Sequence, residues 1–119
     1  MLRRKISTPD GQAALASYQA GSATNQELAT AVRYLLEELA TRHPGSAVEV
    51  RVPPLGAVQC VAGPSHTRGT PSNVVELGPE PWLALALGTK SFEELLEQGL
   101  LTASGNRSDL TDLFPIFKA

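Results

Sequence analysis

Apolar residues recur along this chain in two periods, and the periods divide it into elements. From Thr24 to Arg42, Leu28, Ala31, Val32, Leu35, Leu36, Leu39 and Ala40 return every three or four positions, which is one face of a helix. Thr24 with Glu27 forms a capping box at its start, and His43-Pro44-Gly45 ends it. Arg33, Glu37, Glu38 and Arg42 fall on the other faces, with Glu38 and Arg42 at the spacing of a favourable helical ion pair. Earlier, Thr8-Pro9-Asp10 carries helix-start chemistry, with Thr8 or Asp10 as the cap. That helix carries Ala13, Ala14, Leu15 and Tyr18, stops at Gly21, and is apolar enough only for a peripheral place. Then the period changes to two. Val48, Val50 and Val52 alternate with Glu49 and Arg51, a strand with one buried face and one wet face. Pro53-Pro54 and Leu55-Gly56 turn the chain into a second strand, Ala57 to Ala62, which predicts an antiparallel hairpin.

The stretch from Ser72 to Gly105 reads as strand, helix, helix, strand with short connections. Asn73 to Leu77 is β-branched and ends at Gly78. Pro79 and Pro81 suit a first helical turn, the helix runs through Trp82 to Leu87, and Gly88 tolerates the left-handed conformation of a helix end. Ser91 with Glu94 is a second capping box, Leu95 and Leu96 give that helix an apolar face, and Gly99 closes it. Leu100 to Ala103 forms the last strand. Ser108 then caps a final helix carrying Leu110, Leu113 and Phe114, broken by Pro115 and followed by the apolar pair Ile116-Phe117. Strands are expected near residues 47–52, 57–62, 73–77 and 100–104, with five helices around them. This order is α+β with a largely antiparallel sheet. The length fits a single domain, 1–119, with a helical N-terminal part, 1–45, and a sheet-and-helix core, 46–119.

The order of a strand, a helix with Trp82, Gly88, a second helix, the run Gly99-x-Leu101-x-x-x-Gly105 and the terminal segment Asp109 to Phe117 resembles the sterol-carrier-protein family. The segment Val48 to Val75 is similar to a small bacterial branch of it, and the resemblance spans about Ala14 to Phe117. It implies a mainly antiparallel twisted sheet of four to five strands, covered on one face by helices, with an apolar cavity between the layers. The sheet residues Val50, Val58, Val74 and Leu101 are the expected cavity walls, with Trp82, Leu83, Leu87 and Leu96 from the central helices. Leu113, Phe114 and Phe117 would close it from the C-terminal segment. The two helices before Val48 make a longer preface than the resemblance implies, and the chain ends at Ala119 without a peroxisomal Ser-Lys-Leu signal.

Charge and composition narrow the partners. Ten Lys and Arg against twelve Asp and Glu give a net charge of −2, which does not favour nucleic acid. The basic N-terminus Arg3-Arg4-Lys5 reads as a solvated tail. The apolar run Trp82 to Leu87 is far short of the ~20 residues of a membrane span, and no apolar segment follows the basic N-terminus as in a signal peptide. One cysteine excludes an internal disulfide and fits a cytoplasmic protein. The expected state is a monomer or weak homodimer.

Little here reads as catalysis. Cys60 and His66 are the one thiol–imidazole pair, but Cys60 lies mid-strand beside Val58, which predicts a buried neutral thiol. Two histidines and one cysteine lack the spacing of a metal site, and no cofactor is implied. The adjacent acids Glu93-Glu94 and Glu37-Glu38 point to different helix faces, Glu94 is explained as a cap, and Asp109 and Asp112 are helix N-terminal charges. The polar loop Pro64 to Pro71 supplies a different chemistry: Arg68, with nearby Asn73, is the expected contact for an anionic head group. The expected function is non-catalytic binding of a lipid, fatty acyl or sterol-like molecule. The alternatives are an accessory domain with a collapsed cavity acting on a protein partner, and a thiol enzyme using Cys60 and His66.

Overall fold

A computed structural model describes residues 4–63 and 73–118. Four α-helices, four strands and one 3-10 turn follow in the order α1 (Thr8–Gln19), α2 (Asn25–Arg42), β1 (Val48–Val52), β2 (Gly56–Cys60), β3 (Val74–Leu77), α3 (Pro79–Leu87), α4 (Phe92–Glu97), β4 (Leu101–Ser104) and the turn Thr111–Leu113. The fold is α+β, as the periodicity predicts. Ser7, not Thr8 or Asp10, caps α1: its hydroxyl accepts from the Asp10 amide at 3.2 Å, which moves Pro9 into the first turn. Both expected capping boxes are present, with the side chain and backbone of Thr24/Glu27 and of Ser91/Glu94 bonded reciprocally.

The sheet has strand order β2-β1-β3-β4. The hairpin β1–β2 and the pair β3–β4 are antiparallel, but β3 runs parallel to β1, so the sheet is mixed where a mainly antiparallel one was expected. The cause is a crossing. After β2 the chain passes to the far side of β1, and Asn73 anchors it there: its carbonyl accepts from the Glu49 amide at 3.0 Å and its side-chain amide donates to the Ala47 carbonyl at 2.9 Å. The crossing starts at Val61, which holds a left-handed φ of 70° and ends β2 two residues short of the expected strand. Its amide donates to the His43 carbonyl at 2.7 Å. Gly45 sits so close beneath it that a Cβ there would lie 2.1 Å from the Val61 oxygen.

Pairing register separates the faces of the sheet. Val50 pairs with Val58 and with Val75, which pairs with Ala103, so these four share the inner face. Glu49 pairs with Val74, and Arg51 with Glu76, on the outer face, where Arg51 donates to the Glu49 carboxylate. The inner face joins one apolar core with α2 and α3. The α1 helix lies peripherally on α2, as its weak apolar pattern predicts. Gly11 permits the approach, since a Cβ there would lie 2.3 Å from the Tyr34 ring.

Two helix expectations are corrected. In α4, Phe92 and Leu95 are three residues apart and face inward, whereas Leu96, one residue further round, is 42 % exposed. The expected last helix is only a 3-10 turn, leaving four α-helices among the described residues. The Ser108 hydroxyl donates back to Gly105 at 2.8 Å and does not cap. The Asp109 carboxylate takes the Thr111 amide at 3.1 Å instead. Pro115 has no amide with which to continue a helix. The C-terminal segment docks on its own core: the Ile116 and Phe117 amides both donate to the Ala86 carbonyl, at 2.8 and 3.1 Å.

Candidate ligand-binding site

All the expected cavity residues but Val58 separate into three groups. Val50, Trp82 and Leu83 are 0 % exposed, and Leu101 is buried beside them. A void able to admit an alkyl chain would leave reachable surface on its walls, and these side chains have none. Trp82 is held from two sides: its indole N–H donates to the Val32 carbonyl of α2 at 3.2 Å, and Phe114 meets its ring edge-on at 5.8 Å. The interior between the inner face, α2 and α3 is therefore packed around Trp82. A second group lies at the C-terminal segment. Phe117 stacks on Tyr34 with centroids 6.4 Å apart and lies 4.6 Å beneath the Arg42 guanidinium. With Leu87, Leu15 and Lys118 it borders a shallow groove of about 250 Å³ against α1. Leu113 packs partly buried against the core nearby. The third group is separate from both: Val74 lies on the outer face and Leu96 in solvent.

Asn73 is buried, and both ends of its amide are used, the oxygen accepting from the Arg107 amide at 2.9 Å. It ties β1 to the turn after β4. Arg68 and His66, with the loop Pro64 to Pro71, lie outside the described residues. Cys60 is fully buried on β2, and burial pushes its thiol up to about 11. A neutral thiol sealed in the core is a poor nucleophile. Among the described residues no three His, Cys, Asp or Glu side chains cluster to hold a metal ion, and no helix is long and apolar enough to cross a membrane.

Among the described residues, the expected Val58 lines a larger opening. It lies at the free edge of the sheet, half-buried, facing α2. Between α2 and the β1–β2 hairpin runs a groove of about 450 Å³, walled by Ile6, Leu36, Leu55 and Val58 and rimmed by Lys5, Arg33 and Glu37. Arg33 is positioned by its Nε donating to the Leu55 carbonyl of the hairpin turn at 2.8 Å. Ala57 and Val58 also line a second groove, of about 540 Å³, with Ala40, Pro44 and Gln59. The lining is mainly apolar, the Glu37 carboxylate in it is taken up by the Lys5 and Ile6 amides, and the exposed cations Lys5 and Arg33 suit an amphipath with an anionic head.

Sequence reasoning missed most of this groove. Leu36 was visible as one flank of the α2 stripe, and Leu55 as an apolar residue in a turn that calls for polar ones. The N-terminal segment gave no signal. Its basic residues read as a solvated tail, and Glu37 falls off the apolar stripe of α2. Instead Glu37 is 8 % exposed, because its carboxylate accepts the Lys5 and Ile6 amides at 3.1 Å each and so binds the segment to α2.

The architecture is that of a small α+β domain with a mixed four-stranded sheet and an open groove at one sheet edge. A family model described as "Bacterial SCP ortholog" matches residues 24–116. The chain belongs to this bacterial sterol-carrier-protein-like family, whose fold is generally that of a non-catalytic carrier. A search of curated proteins found no match to the chain.

Proposed function

We propose that the protein is a cytoplasmic, non-catalytic carrier of an amphipathic small molecule of the fatty acyl or sterol type. Its tail lies in the groove between α2 and the β1–β2 hairpin, and its anionic head faces Lys5 and Arg33. The observation that carries this reading is the groove itself: about 450 Å³, lined mainly by apolar side chains, with Lys5 and Arg33 exposed at its edge. That volume is within the usual range for small-molecule sites, roughly 300–1,000 Å³. Burying a methylene is worth about 0.8 kcal/mol, so an eight-carbon tail supplies roughly 6 kcal/mol before the costs of association. Family membership supports the same class of ligand.

Fluorescence titration with 11-(dansylamino)undecanoate tests it. Saturable binding at one probe per chain, displaced by an unlabelled fatty carboxylate, is the expected result. Native mass spectrometry of protein purified from its host is expected to show a co-purifying lipid. Absence of both overturns the carrier reading. The packed interior around Trp82 favours the second reading, an accessory domain acting on a protein partner, which predicts neither probe binding nor bound lipid.

A further inference from the structure

The N-terminal segment Arg4 to Ile6 lies across α2 and separates two openings. Lys5 and Ile6 wall the groove at the sheet edge, and the same two residues wall a groove of about 390 Å³ on the other side, bordered by Asp10, Gln26, Glu27 and Thr30. Gln26, Thr30, Arg33 and Glu37 are spaced by four, three and four residues, so they form one face of α2 running beneath the segment. At 1.5 Å per residue that face is roughly 16 Å long. The segment is therefore a strap across the middle of what is otherwise a single trench.

The strap is tied down at two neighbouring carboxylates of α2, Glu37 and Glu38. The Glu37 carboxylate takes the Lys5 amide through both oxygens, at 3.1 and 3.2 Å, and the Ile6 amide at 3.1 Å. Arg4 adds an ion pair to Glu38 at 3.1 Å and lies 5.3 Å over the Tyr34 ring. Its Nη2 is buried with no acceptor among the described residues, so the strap is not fully satisfied where it rests. Ile6 makes the apolar contact beneath. A three-residue segment whose polar ties all run to two adjacent carboxylates, with one donor unsatisfied, is an element that opens locally.

We propose that residues 4–6 are a lid on the ligand site and that Glu37 is its latch. The inference rests on the carrier reading above. Closed, the strap splits the trench and confines a ligand to the sheet-edge groove. Lifted, it exposes the whole α2 face from Gln26 to Glu37, long enough for an extended amphipath whose head stays at Arg33. Because the closed form bars an extended amphipath from the far part of the trench, apparent affinity for such a ligand falls in proportion as the open fraction falls.

Hydrogen exchange by NMR and titration with 11-(dansylamino)undecanoate, on the wild type, Glu37→Gln and Arg4→Met, test this. Gln at position 37 loses the charge and sets one N–H donor against the strap amides. The expected result is exchange at the Lys5 and Ile6 amides roughly tenfold faster, with probe binding tightened about threefold to tenfold by the larger open fraction. Arg4→Met, outside α2, shifts both in the same direction by less. Unchanged protection at Leu35 and Leu39 shows that α2 is intact. If strap exchange does not change in either variant, Glu37 is not the latch and the proposal is overturned. If exchange quickens while probe affinity stays the same or falls, the strap does not obstruct the site, and the lid is overturned while the carrier reading stands. If strap exchange quickens but neither wild type nor variant binds probe, the carrier reading fails and the lid fails with it.

Discussion

Two apolar regions of this molecule are built from similar side chains and end in different states. Around Trp82, Val50 and Leu83, three layers converge: the inner sheet face, α2 and α3. Every side chain there has a neighbour on each side, and nothing is left exposed. At the sheet edge, Leu55, Val58 and Ile6 are half-buried over the buried Leu36, and among the described residues α2, one turn and the strap surround them. The difference lies in what covers each region, not in its hydrophobicity. Apolar periodicity marks what leaves water; whether it meets protein or a ligand is decided by the geometry at the edge of the layers.

Truncation should separate the two regions most sharply at Trp82. Trp82→Ala removes the largest fully buried side chain and its bond to Val32, and is expected to cost about 3–5 kcal/mol in a urea melt. If the residue instead lined a hollow, the loss would be far smaller. Next in size is an alkaline effect at Cys60. Burial raises its folded value from 9.0 to about 11, so the native state holds the thiol proton more tightly than the unfolded chain. Stability is therefore unaffected below about pH 9, falls as the unfolded thiol ionises, and levels off above about pH 11. The size of the fall is about 2–3 kcal/mol at 1.36 kcal/mol per unit. Tyr18, raised to about 12 by burial and the Glu80 carboxylate, adds loss at higher pH, so the Cys60 share is read as the difference from Cys60→Ala. A parallel pH profile for the two proteins would place the thiol in a wetter site.

At the edge the ranking reverses. Leu55→Ser should leave the melt within about 1 kcal/mol of wild type, yet weaken probe binding roughly tenfold, the equivalent of about 1.4 kcal/mol of lost apolar contact. Smallest of all is Leu96→Ser. That side chain stands in solvent, so stability should stay within about 0.5 kcal/mol and binding should not change. A measurable loss of binding would return Leu96 to the site.

The local chemistry of the chain was legible because it is local. The Thr24 and Ser91 capping boxes, the stop at Gly88 with φ 82°, and the α2 stripe each depend on residues within one or two turns. The β1–β3 pairing was not, because it depends on where Asn73 lands after a crossing, and alternation alone does not tell parallel from antiparallel partners. For the same reason Val74 was grouped with Val50: the register that puts it beside Glu49 is set by the neighbouring strand. The final helix failed on a competition between Asp109 and the helix for the Thr111 amide. The site was least legible, since Ile6, Arg33, Leu36 and Leu55 come from three separate parts of the chain. Glu37 is the sharpest case: on the helix it reads as a solvated charge, and only the strap amides explain its burial.

The most direct measurement is photo-cross-linking with an alkyl carboxylate that carries a diazirine near its tail end, followed by peptide mass spectrometry. The account predicts labels on Leu36, Leu55, Val58 or Ile6, lost on competition with unlabelled fatty carboxylate. Labels on Trp82, Leu83 or Val50 would mean that the interior opens to receive the ligand, and would contradict it.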